Sequence, residues 1–250
     1  MIYINWEINN NITLDEGLYF GKGVFETILI RNKAVFLEEH INRLQEGASL
    51  LKINNTVSIE DVENFLKKKK IRNCSLKIIL TDKNIIAITR DITYTMDIYK
   101  RGFKLKISNV RRNSTSIMPY IKSINYIENI IERNKAIEEG FDEVLFLNEN
   151  NFITEGSISN IYFIKNNKIK TATVNLGLLD GTIRKWLMKN FEIEEGEFTL
   201  EDLKESECIF LTNSLVGIIK VSEFEGKKFN ENIFLDKIIS EYLEFLKGFW

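Results

Sequence analysis

The first third of the chain alternates short runs rich in β-branched and aromatic residues with segments in which apolar positions recur every three or four residues. Runs of the first kind are typical of strands, whereas the second spacing places apolar side chains on one face of a helix. A Ser-x-x-Asp capping box at Ser58 predicts the start of one helix, which ends at a lysine run. The predicted strands are 2–6, 24–30, 74–80, 85–89 and 103–110, and the predicted helices are 37–51 and 58–70.

The second half shows the same signals after a stretch of different character. Residues 112–121 combine small polar residues with Pro119, the only proline, which is typical of an interdomain linker. Beyond it the predicted helices are 124–139, a short helix opening at Gly181, and 232–246, and the predicted strands are 143–147, 160–164, 168–172, 208–212 and 217–221. We therefore predict a mixed α and β chain with an N-terminal lobe (1–112), a linker (113–121) and a C-terminal lobe (122–250).

Composition narrows the possible functions. Hydrophobic residues make up 44% of the chain and charged residues 28%, and 34 basic against 36 acidic side chains give a net charge of −2. These values are typical of a globular protein and exclude collagen-like repeats and disorder. No run approaches the roughly 18 apolar residues of a membrane helix, and the first residues lack the features of a signal peptide, so we expect a cytoplasmic protein without a membrane partner.

The scarcity of histidine and cysteine restricts the chemistry further. His40 is the only histidine, and Cys74 and Cys208 lie far apart in apolar runs. This excludes histidine-rich metal sites, zinc ribbons and CxxC redox sites, and we expect no metal. His40 lies in a predicted helix without a nucleophile motif beside it, which favours a role on the helix surface or in packing over one as a general base.

Two further motifs are better explained by local structure than by a ligand. The four lysines at 67–70 stand at a predicted helix end, where positive charge complements the helix dipole, and the net charge argues against a nucleic-acid partner. The glycines around Gly21 resemble a phosphate loop, but Glu26 stands where a dinucleotide fingerprint needs its third glycine. We interpret them as a tight turn that leads into a strand.

Three features together indicate an organic cofactor. Lys122 follows the linker between apolar neighbours, where partial desolvation would lower its pKa and make its amine available for a Schiff base; a packed stem with the ammonium in water is the alternative. Glu155 stands at a strand end among small residues, where a carboxylate can hold a protonated pyridine nitrogen. Gly181, Thr182 and Ile183 open a helix whose N–H groups can bind an anion. Such a set describes pyridoxal 5′-phosphate.

Six motifs, in order along the chain, resemble the fold-type IV pyridoxal-phosphate enzymes: branched-chain aminotransferases, D-amino acid aminotransferases and 4-amino-4-deoxychorismate lyases. The motifs are GVFETILI, EEHINRL, KSINYIENIIERNKAIEEGFDEVLFLN, ITEGSISNIYF, GLLDGTIR and FLTNSLVGIIKV. The resemblance implies an α+β, two-domain fold like that of D-amino acid aminotransferase, with pyridoxal 5′-phosphate as cofactor. It also implies a homodimer, whose cleft lies between the two lobes and is completed by the second subunit.

The matching positions imply roles for individual residues. Lys122 matches the catalytic lysine that forms the Schiff base, Glu155 the partner of the pyridine nitrogen, and Arg43 the phosphate-binding arginine. The remaining implied cofactor residues are Thr182, Ile183 and Ser214 at the phosphate and Tyr126 at the phenolic oxygen. The chain departs from its relatives at Thr182 and Ile183, where they often carry Ile-Thr, and at Lys220, where they often carry proline.

The resemblance also discriminates among the family's activities. D-amino acid aminotransferases use an Arg-x-His pair for the substrate carboxylate, which this chain lacks, and SINY replaces the GGNY of branched-chain aminotransferases. The Asn-Ser-Leu-Val-Gly loop at 213–217 is similar to that of the lyases, which implies conversion of 4-amino-4-deoxychorismate to 4-aminobenzoate and pyruvate in folate biosynthesis. The alternatives are an aminotransferase of branched-chain or other small amino acids and a non-catalytic binding protein. Asn213 and Arg90 are candidates for binding substrate carboxylates.

Overall fold

A computed structural model describes residues 1–8 and 11–250, and the described chain divides into two compact units. Unit 1 contains Met1–Thr93, Ile121–Tyr126 and Leu246–Trp250, and unit 2 contains Tyr94–Tyr120 and Ile127–Phe245. The chain therefore passes from one unit to the other at four places, whereas the sequence predicted one linker at 113–121.

Unit 1 is built on an antiparallel sheet with helices packed against it. Its elements are β1 (Ile2–Ile4), α1 (Glu16–Phe20), β2 (Val24–Ile30), α2 (Leu37–Leu50), α3 (Ile59–Lys69), β3 (Cys74–Leu80) and β4 (Ile85–Arg90), followed by a 3₁₀ turn at Lys247–Phe249. The strand order is β1-β4-β3-β2, and each neighbouring pair is antiparallel. Ile28 and Leu76 from the sheet, Leu44 from α2 and Val62 from α3 are buried in one apolar core.

The start of α3 shows how the sequence specifies a helix end. The Asp61 N–H donates to Ser58 Oγ at 3.1 Å, and the Ser58 N–H donates to Asp61 Oδ2 at 2.8 Å. Two N–H groups that a helix start leaves without partners are thus satisfied reciprocally. The predicted capping box is confirmed.

Unit 2 contains a larger sheet with helices around it. Its elements are α4 (Met96–Arg101), β5 (Phe103–Arg112), α5 (Ile127–Glu138), β6 (Glu143–Asn148), β7 (Ile153–Gly156), β8 (Asn160–Lys165), β9 (Lys168–Ala172), α6 (Thr182–Asn190), β10 (Ile193–Gly196), α7 (Leu200–Lys204), β11 (Cys208–Asn213), β12 (Gly217–Phe224), β13 (Lys227–Lys228) and α8 (Ile233–Leu246), with 3₁₀ turns at Met118–Tyr120 and Val174–Leu176.

The large sheet closes on itself. Its strand order is β10-β9-β8-β11-β12-β5-β6-β7, β13 pairs with β12, and β7 pairs with β8 as well as with β6. The strands β8, β11, β12, β5, β6 and β7 therefore form a ring, and such closure removes unpaired sheet edges. The β7–β8 pairing joins Glu155 to Asn160, which places a predicted site residue where the ring closes.

The predicted fold class is confirmed, with a small sheet unit and a barrel-like unit. The unit boundaries differ from the predicted ones, because β5 pairs in parallel with β6 and β12 and so belongs to unit 2. The helix predicted from 124 begins at Ile127, because Ile121–Tyr126 belongs to unit 1. Among the described residues, no helix has both the length and the apolar composition required to cross a membrane.

Candidate functional site

Lys122 lies in a segment of unit 1 that is fixed against β2 by its backbone. The Phe25 N–H donates to the Lys122 carbonyl at 2.8 Å, and the Ile124 N–H donates to the Gly23 carbonyl at 3.0 Å. An antiparallel bridge joins Ser123 to Val24 between these bonds. Because three successive residues are bound to the strand, the backbone position from which the Lys122 side chain extends is fixed.

Two aromatic rings surround the amine of Lys122. Its Nζ lies 4.6 Å from the centroid of the Phe25 ring and 5.7 Å from that of the Tyr126 ring. The two rings meet edge to face, with centroids 5.2 Å apart and an interplanar angle of 85°. The Lys122 side chain is half-buried, and its partial desolvation was expected from its apolar neighbours. Ring faces attract a cation, so the rings hold the amine in place. A lowered pKa for Lys122 stays a prediction.

A buried cluster of charged and polar groups connects β2 to α2 in unit 1. His40 Nδ1 lies 2.6 Å from Glu26 Oε2, and Arg43 donates through Nε to Oε1 at 2.6 Å and through Nη2 to Oε2 at 2.9 Å. Glu26 and His40 are both fully buried. The surface position considered for His40 is therefore wrong, and the packing role is confirmed.

The protonation states of this cluster follow from burial and charge. Burial alone would raise the pKa of the Glu26 carboxyl, but Arg43 and then His40 outweigh it and hold that pKa far below its usual range. Burial lowers the pKa of His40 against the attraction of Glu26, and the charges of Arg43 and Lys122 lower it further. A neutral His40 then donates its Nδ1 proton to Glu26, and its buried Nε2 has no hydrogen-bond partner among the described residues.

Glu26 also determines how Arg43 is oriented. Two parallel contacts between a guanidinium and a carboxylate restrict the direction of both groups. Only 9% of the Arg43 side chain is exposed, so burial adds to this restriction. The phosphate-binding role predicted for Arg43 stays a prediction, now with a defined structural support.

Glu155 occupies the closure of the ring in unit 2. Its Oε2 accepts a hydrogen bond from the Leu179 N–H at 3.0 Å, and Asn160, its neighbour on β8, donates through Nδ2 to the Leu179 carbonyl at 2.8 Å. The Leu179 residue is therefore held at both its N–H and its carbonyl. Arg112 Nη2 lies 3.8 Å from Glu155 Oε1, which keeps a positive charge beside this nearly buried carboxylate.

The predicted anion-binding residues lie only three positions beyond Leu179. Thr182 and Ile183 are buried in the first turn of α6, and the N-cap residue Gly181 provides no side-chain hydrogen bond to that turn. A Cβ at Gly181 would come within 2.1 Å of Asn160 Oδ1, so the close approach of these segments requires glycine. Ser214 Oγ lies 3.2 Å from Thr182 Oγ1, which brings a second hydroxyl to the same helix end.

The two substrate candidates lie in different units. Asn213 is half-buried at the end of β11, and its Oδ1 accepts from the N–H groups of Leu215 and Val216, both at 2.9 Å. This side chain therefore already shapes the loop that follows it. Arg90 is exposed at the end of β4, where its carbonyl accepts from Ser75 Oγ at 3.1 Å. Substrate binding by either residue stays a prediction.

The structure thus groups the predicted residues by unit. Lys122, Tyr126 and Arg43 belong to unit 1, and Glu155, Thr182, Ile183 and Ser214 belong to unit 2. Sequence reasoning missed the supporting residues Glu26, Arg112 and Asn160. It also missed Glu143, which accepts the N–H groups of Ser157 and Ile158 directly after the strand that contains Glu155. A usable signal existed for two of these residues, because Glu26 lies within a mainly apolar strand and Glu143 begins another. Buried charges of this kind need partners elsewhere in the fold.

The residues of unit 2 fit the two polar ends of pyridoxal 5′-phosphate. The first turn of α6 has backbone N–H groups without a side-chain cap and two hydroxyls beside them, which suits a phosphate. Glu155 offers a nearly buried carboxylate with the cation Arg112 beside it, which suits a protonated pyridine nitrogen. The Leu179 backbone connects the two groups within one short segment.

Comparison with known proteins identifies the family. Residues 23–224 match the family described as amino-transferase class IV. A protein of Methanocaldococcus jannaschii with a provisional branched-chain-amino-acid aminotransferase name is 29% identical, over 86% of this chain and 83% of the relative. The aminodeoxychorismate lyase of Bacillus subtilis is 28% identical, over 90% of this chain and 87% of the relative.

A solved structure agrees with this assignment. The crystal structure of a provisionally named 4-amino-4-deoxychorismate lyase from Legionella pneumophila has a TM-score of 0.86 and 26% identity, and 97% of each chain is covered. Enzymes of the matched family use pyridoxal 5′-phosphate, which confirms the cofactor expected from the sequence. Because the match spans most of the chain, this protein belongs to the class IV amino-transferase family.

Proposed function

We propose that this chain is a pyridoxal-phosphate-dependent lyase that converts 4-amino-4-deoxychorismate to 4-aminobenzoate and pyruvate. The Bacillus subtilis lyase and the similarity to the Legionella pneumophila structure support this choice over the family's other activities. The observation that carries it is the loop at 213–217, whose sequence resembles that of the lyases and whose shape the fold specifies residue by residue.

Several contacts specify the shape of this loop. Asn213 accepts the N–H groups of Leu215 and Val216, and the Tyr99 hydroxyl donates to the Val216 carbonyl at 2.8 Å. Gly217 has a φ of 68°, and a Cβ there would come within 2.5 Å of the Tyr242 ring. The loop therefore needs asparagine at its start and glycine at its end, which are two of the positions that resemble the lyases.

Bound pyridoxal 5′-phosphate supplies an electron sink for the carbon that carries the substrate amine. We assign Lys122 to the proton transfers, because hydrogen bonds fix its backbone and its amine lies between two aromatic rings. It removes the proton from the ring carbon that bears the amine and returns a proton as the enolpyruvyl C–O bond breaks. The released enol becomes pyruvate, and formation of the aromatic ring makes the elimination favourable.

The other residues bind rather than react. Glu155 keeps the pyridine nitrogen protonated, which increases its capacity to accept electrons. Thr182 and Ile183 bind the phosphate through their N–H groups, and Ser214 and Arg43 complete its coordination. Glu26 keeps Arg43 in one orientation, so the phosphate-binding arginine is positioned before the cofactor arrives.

An aminotransferase acting on branched-chain or other small amino acids is the second candidate. The Methanocaldococcus jannaschii relative favours it, because its identity to this chain equals that of the lyase within one percentage point. Both reactions begin with proton removal by the same lysine, so the contacts around Lys122 do not separate them. The products distinguish the two reactions, because the lyase releases pyruvate whereas the aminotransferase transfers an amino group to a keto acid.

The deciding experiment measures pyruvate and 4-aminobenzoate from enzymatically generated 4-amino-4-deoxychorismate, with purified cofactor-loaded protein and no added keto acid. The proposal expects both products in equal amounts from wild type and from Lys189→Ala, whose side chain is exposed on α6, and none from Lys122→Ala. Amino exchange between branched-chain amino acids and 2-oxoglutarate without pyruvate release would make the protein an aminotransferase.

A homodimer and a cytoplasmic location, both expected from the sequence, belong to the same proposal. Sedimentation velocity of the cofactor-loaded protein tests the first and should give a mass of twice 29.2 kDa. A single species at the mass of one chain, at micromolar concentration, would contradict it. Fractionation of the source cells tests the second.

A further inference from the structure

A cavity of about 440 Å³ lies in unit 1, beside the end of α3. Its apolar lining comes from three separate parts of the chain: Leu37 at the start of α2, Leu66 and Ile71 around the end of α3, and Phe249 near residue 250. Sites for small organic molecules typically enclose about 300 to 1,000 Å³ and are mostly apolar. None of the residues that line the cavity is among those assigned to the cofactor or the substrate.

The four lysines at the end of α3 differ in their contacts. Lys68 and Lys69 pair with Glu7 at 2.7 and 2.8 Å, and these two hydrogen bonds lower the pKa of Glu7 to about 2. Lys67 and Lys70 instead line the cavity. Half of the run therefore has a structural partner, whereas the other half contributes charge to the cavity.

Two further cations lie on the same rim. Lys33 and Arg72 line the cavity together with Lys67 and Lys70, and Glu63 is the only carboxylate among the described lining residues. None of the four cations has an ion-pair partner in the part of the chain that the structure describes. Four positive charges against one negative charge are concentrated here on a chain whose net charge is −2.

The walls of the cavity are held in place by specific contacts. The Asn32 N–H donates to the Phe249 carbonyl at 3.0 Å, and the Arg31 guanidinium lies 4.5 Å from the centroid of the Trp250 ring. On the other side, Lys70 adopts a left-handed conformation with a φ of 53°, and the Ile71 N–H donates to the Leu66 carbonyl at 3.0 Å. These contacts form the cavity within unit 1 alone.

We propose that this cavity binds an organic anion that has an apolar body and a carboxylate or phosphate group. The apolar lining removes the body of the ligand from water, while the four cations attract its charged group. Lysines at the end of α3 complement the helix dipole, which explains their positive charge there. The dipole does not explain why Lys33 and Arg72, which lie outside that helix, also line the cavity. The cavity is therefore a second ligand site, separate from the catalytic residues.

Calorimetric titration of the cofactor-loaded protein with 4-phenylbutyrate tests this site, with the uncharged 4-phenylbutanamide as the matched ligand. We expect saturable binding of the carboxylate, weakened by added salt, and at least tenfold weaker binding of the amide. A titration with phenyl phosphate distinguishes the two charged groups, and tighter binding of either one identifies the preferred class. Absence of saturable binding of both anions at millimolar concentration would overturn the proposal.

Two double variants within the lysine run locate the binding. Lys67→Gln/Lys70→Gln should weaken 4-phenylbutyrate binding at least tenfold, whereas Lys68→Gln/Lys69→Gln, which removes the same charge, should change it less than twofold. Equal weakening in both variants would show attraction by overall charge and overturn the site. Unchanged binding in both, with competitive inhibition of the enzyme, would assign the ligand to the catalytic residues and also overturn it.

Discussion

Each unit of this protein buries one carboxylate completely, and the two are stabilised by different means. Glu26 in unit 1 contacts the cation Arg43 and the imidazole of His40. Glu143 in unit 2 accepts hydrogen bonds from the N–H groups of Val144, Ser157 and Ile158 and from the hydroxyls of Ser157 and Ser159. No cation lies within ion-pair distance of Glu143 among the described residues.

The difference shows what each carboxylate contributes. Removing a carboxylate from water costs several kcal/mol, and either an opposite charge or a set of aligned dipoles can offset that cost. The opposite charge at Glu26 fixes the orientation of one side chain, Arg43. The dipoles at Glu143 fix the backbone of a loop, 157–159, which directly follows the strand that contains Glu155. One carboxylate thus positions a cation, and the other positions a turn.

The largest expected effect comes from removing the cation. Arg43→Met leaves Glu26 buried with only His40 beside it, and we expect the free energy of unfolding to fall by about 3–5 kcal/mol. Urea unfolding followed by circular dichroism measures this, with cofactor removed so that weaker phosphate binding does not contribute. Adding Glu26→Gln to Arg43→Met should recover part of the loss, because the unpaired charge is then gone. A double variant no more stable than the single one would contradict the charge explanation.

Replacing the other carboxylate tests the dipole arrangement. Glu143→Gln puts an NH₂ group opposite N–H and hydroxyl donors, so at least two hydrogen bonds to a charged group are lost. Each such bond contributes about 1.5–3 kcal/mol, but a neutral amide costs less to bury than a carboxylate and this offsets part of the loss, so we expect a net loss of about 2–4 kcal/mol in the free energy of unfolding. Hydrogen exchange should accelerate at the Ile158 amide. Glu138→Gln, an exposed carboxylate at the end of α5, is the control and should change neither measurement.

Acid should destabilise unit 1 through both titratable groups of its cluster. The pKa of His40 is lowered from 6.5, so its stabilising contribution is complete above about pH 6.5 and is lost as the pH falls below that value. The pKa of Glu26 is lowered from 4.5, so its contribution is lost below about pH 4.5. Each proton taken up only on unfolding contributes a slope of about 1.4 kcal/mol per pH unit.

Urea unfolding at intervals between pH 7.5 and 4 measures this slope. His40→Gln should flatten the curve between about pH 6.5 and 5, whereas Ser159→Ala, in the other cluster, should leave its shape unchanged. An identical pH dependence in wild type and His40→Gln would show that His40 titrates as it does in the unfolded chain.

The smallest effect is expected from a single neutral donor. Ser159→Ala removes the hydroxyl that donates to Glu143 Oε2 at 2.9 Å but leaves the other four hydrogen bonds in place. We expect a loss of about 1.5 kcal/mol in the free energy of unfolding, the lower end of the range for a hydrogen bond to a charged group, measured as a shift of the urea midpoint. Ser240→Ala, an exposed position on α8, should change it by less than about 0.5 kcal/mol. A loss at Ser159 as large as that of Glu143→Gln would mean that one donor, not the set, stabilises the carboxylate.

Long, strongly patterned elements were predictable from local sequence. The strands at Val24–Ile30 and Cys74–Leu80 have the predicted bounds, and the helix after Ser58 begins at its predicted cap. The short elements α1, α4, α7 and β10 were missed, and β7 was expected only as a strand end at Glu155. Elements of four to six residues contain too few positions for a periodicity to show, and tertiary contacts decide whether they form.

The candidate site divides in a similar way. The sequence proposed Lys122, Glu155 and the start of α6 because each stands in a distinctive local setting. Two tertiary contacts were not predictable from it. Leu179 connects Glu155 to Asn160, and Asn160 approaches residue 181 so closely that only glycine fits there. These contacts join residues 19 to 24 positions apart, so no local pattern indicates them. Likewise, the sequence does not distinguish the four lysines at 67–70. In the fold, Lys68 and Lys69 pair with Glu7, whereas Lys67 and Lys70 line the cavity.

The sequence by itself determined the family, the cofactor, the fold class and most of the long elements, because these depend on the order of motifs and on periodicities within single segments. Only the tertiary structure decided the partners of buried charges. It joined Glu26 to Arg43 across 17 positions and Glu143 to Ser159 across 16, and it assigned β5 to unit 2 through parallel pairing. The physical reason is that a buried charge or a sheet edge must be satisfied, and the fold as a whole decides which distant groups satisfy it.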